Sequence, residues 1–235
     1  QFTLSPEIRD LHLPEEGTGH NLAVVSIKKR YPGQAIKVAH SLWGAGQMMF
    51  NKIMIIVDEE VNIRERDQLY AAISENYVPA RDTHFSRGPL DVLDHSAPVC
   101  GLGGKMLIDA TAKLPEEGGS LNRENGTNPP LFHFTHSISD IKGLINIVIN
   151  SDFDINDQYT ALWLWGANCD PVRDSRFEGG RLVMDARRKS AGKNTREWPQ
   201  IAHSSSGTIG SVDKKWDTLG IGEFIPSPSM RFLKE

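Results

Sequence analysis

With 235 residues, 39% hydrophobic and 24% charged, the chain has the make-up of an ordinary globular protein of one large domain or two small ones. A formal net charge of −4 argues against a nucleic-acid or anionic-membrane partner, because both need a basic field; the runs Lys28-Lys29-Arg30 and Arg187-Arg188-Lys189 are short enough to be solvated surface. No apolar run approaches the ~18 residues of a bilayer span, no charged segment leads into a signal-like apolar stretch, and two cysteines, Cys100 and Cys169, suggest a reducing, cytoplasmic setting rather than a disulfide framework.

The chain opens at Gln1 directly into Phe2-Thr3-Leu4-Ser5-Pro6, as a piece of a longer polypeptide would. Asn21 to Ile27 is an apolar run of strand length, and Pro32-Gly33 then breaks the chain. From Gln34 to Phe50, Ala35, Val38, Ala39, Leu42, Ala45 and Met49 fall at helical spacing. Gly44 and Gly46 inside that helix imply the close approach of a neighbouring backbone or of a ligand. Ile53 to Val57 is β-branched and reads as a buried strand, and Leu69, Ala72, Ile73 and Tyr77 mark one face of a following helix. A short strand over Thr83 to Phe85, a loop, and a strand over Met106 to Ile108 come next. Leu114 to Pro130, rich in Gly, Pro, Asn and Glu, reads as an exposed connector, within which the sequon Asn125-Gly126-Thr127 is a turn. Ile145 to Ile149 is a further strand, Ala161, Leu164 and Trp165 mark a helix face, and Ser175 to Phe177 is another short strand. Lys189 to Thr208 is polar and aperiodic, a last helix lies near Ser211 to Leu219, and Pro226-Ser227-Pro228 is extended.

These elements repeat. Pro79-Ala80-Arg81-Asp82-Thr83-His84-Phe85 reappears as Pro171-Val172-Arg173-Asp174-Ser175-Arg176-Phe177, 92 positions on. The strands from Ile53 and Ile145 obey the same offset, whereas Gly103-Gly104-Lys105-Met106 and Gly179-Gly180-Arg181-Leu182 lie 76 apart. The first copy therefore carries a loop 16 residues longer, within Ser86 to Leu102. Two copies are too few for a solenoid. The expected fold class is α/β, with a mixed or mostly parallel sheet flanked by helices and an internal duplication. The extra loop is the place to seek function.

Several motifs fail on chemistry. Gly101-Leu102-Gly103-Gly104-Lys105 could nest an anion, but a P-loop needs wider glycine spacing and a hydroxyl residue after the lysine, where Met106 stands; a tight turn feeding a strand is the simpler reading. Asp152-Phe153-Asp154-Ile155-Asn156-Asp157 begins like a calcium loop but lacks the glycine and has Trp163 in place of the bidentate glutamate. His133 and His136 have no third ligand at a convincing spacing, and the adjacency of Asp94, His95 and Ser96 is no evidence of a triad.

Taken together and in order, a set of segments resembles the C-terminal part of UbiD-family carboxy-lyases. They are Pro6-Glu7-Ile8, Leu13-Pro14-Glu15-Glu16-Gly17, and Ala23 through Gly33 ending Lys28-Lys29-Arg30-Tyr31-Pro32-Gly33. Phe50-Asn51-Lys52 leads into Val57-Asp58-Glu59-Glu60-Val61-Asn62, followed by Pro79-Ala80-Arg81-Asp82 and Gly88-Pro89-Leu90-Asp91. Leu93-Asp94-His95-Ser96-Ala97-Pro98-Val99, Gly101 to Met106, and Asp109-Ala110-Thr111 complete the first half. The likeness resumes at Asp185-Ala186, Thr195-Arg196-Glu197-Trp198 and Val212 to Gly220. Residues 1–116 are thus expected to be a UbiD C-terminal-like domain, 117–178 a family-atypical insertion with most of the second copy, and 179–235 its end with a family-like closing helix and tail.

The resemblance implies a reversible non-oxidative decarboxylase of aromatic or α,β-unsaturated acids that uses prenylated FMN and a divalent metal, usually manganese. In the family those groups and the acidic residues belong to preceding domains, so no catalytic or metal residue is carried over, and neither cofactor is expected on this chain alone. What carries over is a pocket wall: Leu90 with Pro89, and Met48 in the helix end running to Asn51. Gly88 stands where the phenylacrylate decarboxylases have an aromatic, which implies a more open edge. The implied partners are the N-terminal flavin-binding domain of the same protein, further copies in a homo-oligomer, and a small carboxylic acid. The alternatives are a non-catalytic assembly module and an anion-binding protein using Gly101 to Lys105.

Overall fold

The computed structural model describes residues 3–119, 129–190 and 197–233. The chain divides into two compact units, 1–198 and 199–235. The sequon at 125–127 and Thr195-Arg196 lie outside the described residues.

Among its described residues the larger unit holds two sheets. The first is built from β1 (Ile8–His12), β2 (Leu22–Ile27), β3 (Ile53–Asp58), β4 (Thr83–Pro89) and β5 (Leu102–Asp109), in the order β1-β2-β3-β5-β4. Its central pairs β2/β3 and β3/β5 are parallel and its two edge pairs are antiparallel. The second comprises β6 (Phe132–Thr135), β7 (Ile145–Val148), β8 (Ser175–Glu178) and β9 (Arg181–Asp185), ordered β6-β7-β9-β8, with two parallel pairs and one antiparallel edge. This is a mixed α/β architecture. β2 and β3 are apolar on both faces apart from Ser26 and the terminal Asp58, because both faces are covered. Leu22, Val24, Ile53, Ile55, Met106 and Ile108 share one core with α2 (Arg66–Asn76), α4 (Gln158–Asn168) and the second sheet. On the opposite face Ala23, Val25, Met54, Ile56 and Leu107 pack against α1 (Gln34–Trp43).

The offsets seen in the sequence reappear in the ladder register. Ile53 stands opposite Met106 as Ile145 does opposite Leu182, and Thr83 opposite Ile108 as Ser175 does opposite Met184. The Pro-x-Arg-Asp segments are single-turn helices, α3 (Pro79–Asp82) and α5 (Pro171–Asp174), built in the same way. Asp82 accepts from the Val78 N–H at 2.7 Å and pairs with Arg81 at 2.8 Å; Asp174 accepts from the Asp170 N–H at 2.9 Å and pairs with Arg173 at 2.7 Å. Behind each turn a buried lysine closes the ring. Lys113 donates to the carbonyls of Asp109 and Thr111, 3.8 Å from Asp82, and Lys189 to those of Asp185 and Arg187, 3.6 Å from Asp174.

Several expectations change. The helix predicted over Gln34 to Phe50 stops at Trp43, because Gly46 takes φ +53 and the chain continues as a 3₁₀ turn over Gly46–Phe50. A Cβ on Gly46 would meet nothing within 4 Å, so its backbone conformation, not a neighbouring backbone, calls for glycine. The strand predicted over Thr83 to Phe85 runs on to Pro89. In the smaller unit the closing helix starts earlier and is broken into α6 (Ser206–Asp213), capped by the Ser205 hydroxyl, and α7 (Trp216–Leu219), which ends at Gly220 in the left-handed region. Pro228–Phe232 forms a 3₁₀ turn within the tail.

Candidate functional site

The 16 extra residues of the first copy take in the end of β4, its connection to β5 and the start of β5. β4 delivers Gly88-Pro89-Leu90 to the sheet edge, and the chain returns through Gly101, whose φ of +74 makes the turn. Leu90 N–H donates to the Gly101 carbonyl at 2.9 Å, and Val99 and Leu102 exchange hydrogen bonds across the neck. Asp91 caps the outer turn by accepting from Leu93 N–H at 2.8 Å.

The loop is held by a buried charge cluster. Lys52 is fully buried just before β3, and its ammonium lies 2.8 Å from both the Asp94 carboxylate and the Ser96 hydroxyl. Ser96 in turn donates its N–H and O–H to Asp94 at 2.9 and 2.7 Å. Burial alone would raise the Asp94 carboxyl, but the charge and hydrogen bond of Lys52 and the two bonds from Ser96 together hold it below the usual aspartate value. A second buried lysine fixes the Met48 turn. Lys105 Nζ donates to the carbonyls of Met49 and Asn51 at 2.7 and 2.6 Å and sits 5.8 Å from the Trp43 ring centroid. Burial pushes the Lys105 amine down to about 8; Asp94 opposes that shift and Lys52 adds to it. Asn51 completes the support, accepting from the Trp43 indole and donating to the carbonyls of His20 and Ile53.

This construction brings the 3₁₀ turn bearing Met48 against β4. Leu90 is 1% exposed and Met48 6%, so both are interior, while Pro89 is exposed. Leu90 lies over Gly103, where a Cβ would come within 2.6 Å of its Cδ1. The space beside Gly88 is taken by the Lys105 stem, since a Cβ there would meet Cε at 2.9 Å. Around this interior the loop turns Val92, Leu93, Val99 and Leu102 outward, each about half exposed or more (63%, 82%, 51% and 49%).

Gly101 to Lys105 is not a phosphate cradle: Gly104 N–H is given to Asp170 at 2.6 Å and Lys105 points inward to backbone carbonyls. Asp94, His95 and Ser96 do not converge either, since His95 faces away to Asn168 Oδ1 at 2.9 Å and meets the Trp198 ring edge-on at 4.7 Å. His133 bonds Asp140 at 3.0 Å and His136 bonds the Phe153 carbonyl, and among the described residues no cluster of three His, Cys, Asp or Glu is placed to hold a metal ion. Cys100 is exposed and Cys169 buried, both as free thiols, and burial raises the Cys169 thiol. Sequence reasoning missed Asn168 and Asp170, which reach His95 and Gly104 from the second copy, and gave Trp198 no part at the loop. The one available signal was Asp170, which stands where the first copy has Val78.

Residues 2–110 match the family model of the 3-octaprenyl-4-hydroxybenzoate carboxy-lyase C-terminal domain, UbiD_C. Over those residues the chain is similar to the C-terminal domain of UbiD-family carboxy-lyases. An uncharacterized protein of Archaeoglobus fulgidus is 48% identical over 116 residues, and one of Aquifex aeolicus 49% over 113. Those segments are 49% and 48% of this chain but 24% and 23% of the relatives, so the chain spans about a quarter of the proteins it matches. Among solved UbiD-class structures, the vanillic acid decarboxylase of Sedimentibacter hydroxybenzoicus in open form, with truncated ShVdcD, is 31% identical with a TM-score of 0.48, covering 53% of this chain and 26% of that one. HmfF from Pelotomaculum thermopropionicum in complex with FMN is 26% identical with a TM-score of 0.43, at 53% and 26% coverage. Likeness at these TM-scores carries no functional weight. Among the described residues no helix is long and apolar enough to cross a membrane.

Proposed function

We propose that this chain is the C-terminal part of a prenylated-flavin-dependent, UbiD-like decarboxylase acting on an aromatic or α,β-unsaturated carboxylic acid, in the cytoplasm. The match of residues 2–110 to the UbiD C-terminal domain carries the reading. In it, the N-terminal flavin-binding domain of the same protein would hold prenylated FMN with Mn²⁺, and the flavin would supply a sink for the electron pair that carbon dioxide leaves on the substrate carbon. The reaction releases carbon dioxide from the carboxylate and puts a proton on the carbon it leaves; the donor of that proton belongs to the other domain.

This chain's task is to close the pocket. Pro89 provides apolar wall backed by the interior Leu90 and Met48, and the outward Val92, Leu93, Val99 and Leu102 face the flavin-binding domain and keep water from the reacting carbon. The Lys52–Asp94–Ser96 cluster keeps that wall in one place. The test is the full-length protein produced with a supply of prenylated flavin, assayed for carbon dioxide release beside this chain alone. Release by the former and no flavin on the latter are expected. Tight stoichiometric flavin on this chain alone would overturn the division of labour.

A second reading, a non-catalytic assembly module, is favoured by one observation. The 199–235 unit exposes Leu219, Ile221, Phe224, Ile225 and Met230, each about half or more. On that reading the chain builds a homo-oligomer, and a strictly monomeric chain in light scattering removes it.

A further inference from the structure

The two sheets meet crosswise. α5 packs on β5, and its counterpart α3 packs on β9, the counterpart of β5. Phe85 meets Phe177, the residue 92 positions on, with ring centroids 6.2 Å apart and planes at 60°. A contact in which i meets j′, j meets i′, and one residue meets its own counterpart is the signature of a two-fold axis between like bodies. Here both bodies belong to one chain.

The bodies are not equal. Where the first has the loop from Ser86 to Leu102, the second has the hairpin Gly179-Gly180, with φ of +55 and +73, so it has no wall. Where the first has Val78, the second has Asp170, 1% exposed. One Asp170 oxygen caps α5 by accepting from Val172 and Arg173 N–H at 3.1 and 2.8 Å, and the other accepts from Gly104 N–H at 2.6 Å. Gly103 and Gly104 permit this approach. A Cβ on either would lie 2.7 or 2.8 Å from the Asp170 carboxylate, and one on Gly104 only 2.6 Å from Val172 N. Farther along the same side, Asn168 Oδ1 bonds His95 in the loop while its Nδ2 donates to the Ala186 carbonyl at 3.1 Å.

We propose that the second body is a built-in, wall-less partner: it occupies the face through which a one-body chain would pair with a second copy of itself, and it anchors the loop from Ser86 to Leu102 through two positioning residues, Asn168 at His95 within the loop and Asp170 at Gly104 just past its end. The loop's importance to substrate rests on the decarboxylase reading; the pairing and the anchoring do not, and both tests below are free of activity.

The pairing is tested in the whole chain carrying Phe85→Cys, Phe177→Cys and Cys100→Ser. Unlabelled and nitrogen-15-labelled chains are mixed and treated with a short bis-maleimide. Links between positions 85 and 177 of a single isotope are expected. Mixed-isotope links, links between two copies of position 85, or no link at all would overturn the assignment. The anchoring is tested by Asp170→Asn, which keeps an oxygen for the cap and turns an amide N–H toward Gly104 N–H. Loss of one buried charge-assisted bond predicts about tenfold faster amide exchange at Gly104 and across the loop, with Ile145 to Ile149 unchanged. Unchanged exchange in the loop, or equal acceleration in both sheets, would overturn it.

Discussion

Lys52→Met is the sharpest perturbation of the wall's support. The lysine is completely buried and the Asp94 side chain is 4% exposed, with 2.8 Å between charges. Methionine fills the stem's volume but strands a buried carboxylate without the cation that faces it. Breaking a buried pair in this way costs about 3–5 kcal/mol. For a unit of this size that is roughly 6–20 °C in Tm. Differential scanning calorimetry and urea unfolding at pH 7 measure it, and Lys52→Met/Asp94→Leu should recover to within about 2 kcal/mol of the parent, because an apolar pair replaces an ionic one at little net cost. The pH dependence has a defined sign. In the parent the Asp94 carboxyl is held below 3.8, so its contribution is present above that pH and is lost as pH falls through the lower folded value. In Lys52→Met, burial acts unopposed by the lysine and raises the carboxyl, so the variant's deficit should shrink between pH 7 and pH 4. A deficit under about 1 kcal/mol, or one that does not change over that range, would refute this account of the cluster.

Two other substitutions and one titration follow from the same geometry. Gly104→Ala should destabilise by about 1–3 kcal/mol or more in chemical denaturation, because the added Cβ is aimed at Val172 N and the Asp170 carboxylate rather than at a yielding side-chain end; a neutral Gly104→Ala would mean that α5 does not sit on β5. Tyr77→Phe removes the buried hydroxyl 2.6 Å from Thr83 Oγ1, which still donates to the Pro79 carbonyl, and should cost about 1 kcal/mol by the same measurement. The Lys105 side chain should titrate with a midpoint near 8 in carbon-13 NMR of its Cε. Because folding lowers that amine, its contribution to stability grows more favourable as pH rises from about 8 toward 10.5, and an ordinary lysine midpoint would show that it is solvated.

The offsets of 92 and 76 read from the sequence recur in the pairing of Ile53 with Met106 and Ile145 with Leu182, because ladder register follows from which side chains face the core. The 16-residue mismatch likewise fell on a real connection between two strands. β1, Ile-Arg-Asp-Leu-His, escaped because an edge strand paired on one side need not be apolar, and the four-residue β6 gave too short a signal. The break after Trp43 escaped because helical spacing continues through a glycine that has left the helical region. The candidate wall was legible only through resemblance. Its supports were not: Lys52 and Asp94 are 42 positions apart, and Asp170 reaches Gly104 across 66, distances over which no local pattern extends.

The central claim is that the loop bearing Leu90 forms part of the substrate pocket of a UbiD-like decarboxylase. The most direct measurement is the ratio of kcat/KM for a small and a bulky aromatic or α,β-unsaturated acid, in the flavin-loaded full-length protein and its Leu90→Ala variant. The account predicts carbon dioxide release by both proteins at equal flavin content, with the ratio shifted toward the bulky acid in Leu90→Ala. An unchanged ratio, or no release of carbon dioxide from fully loaded protein, would contradict it.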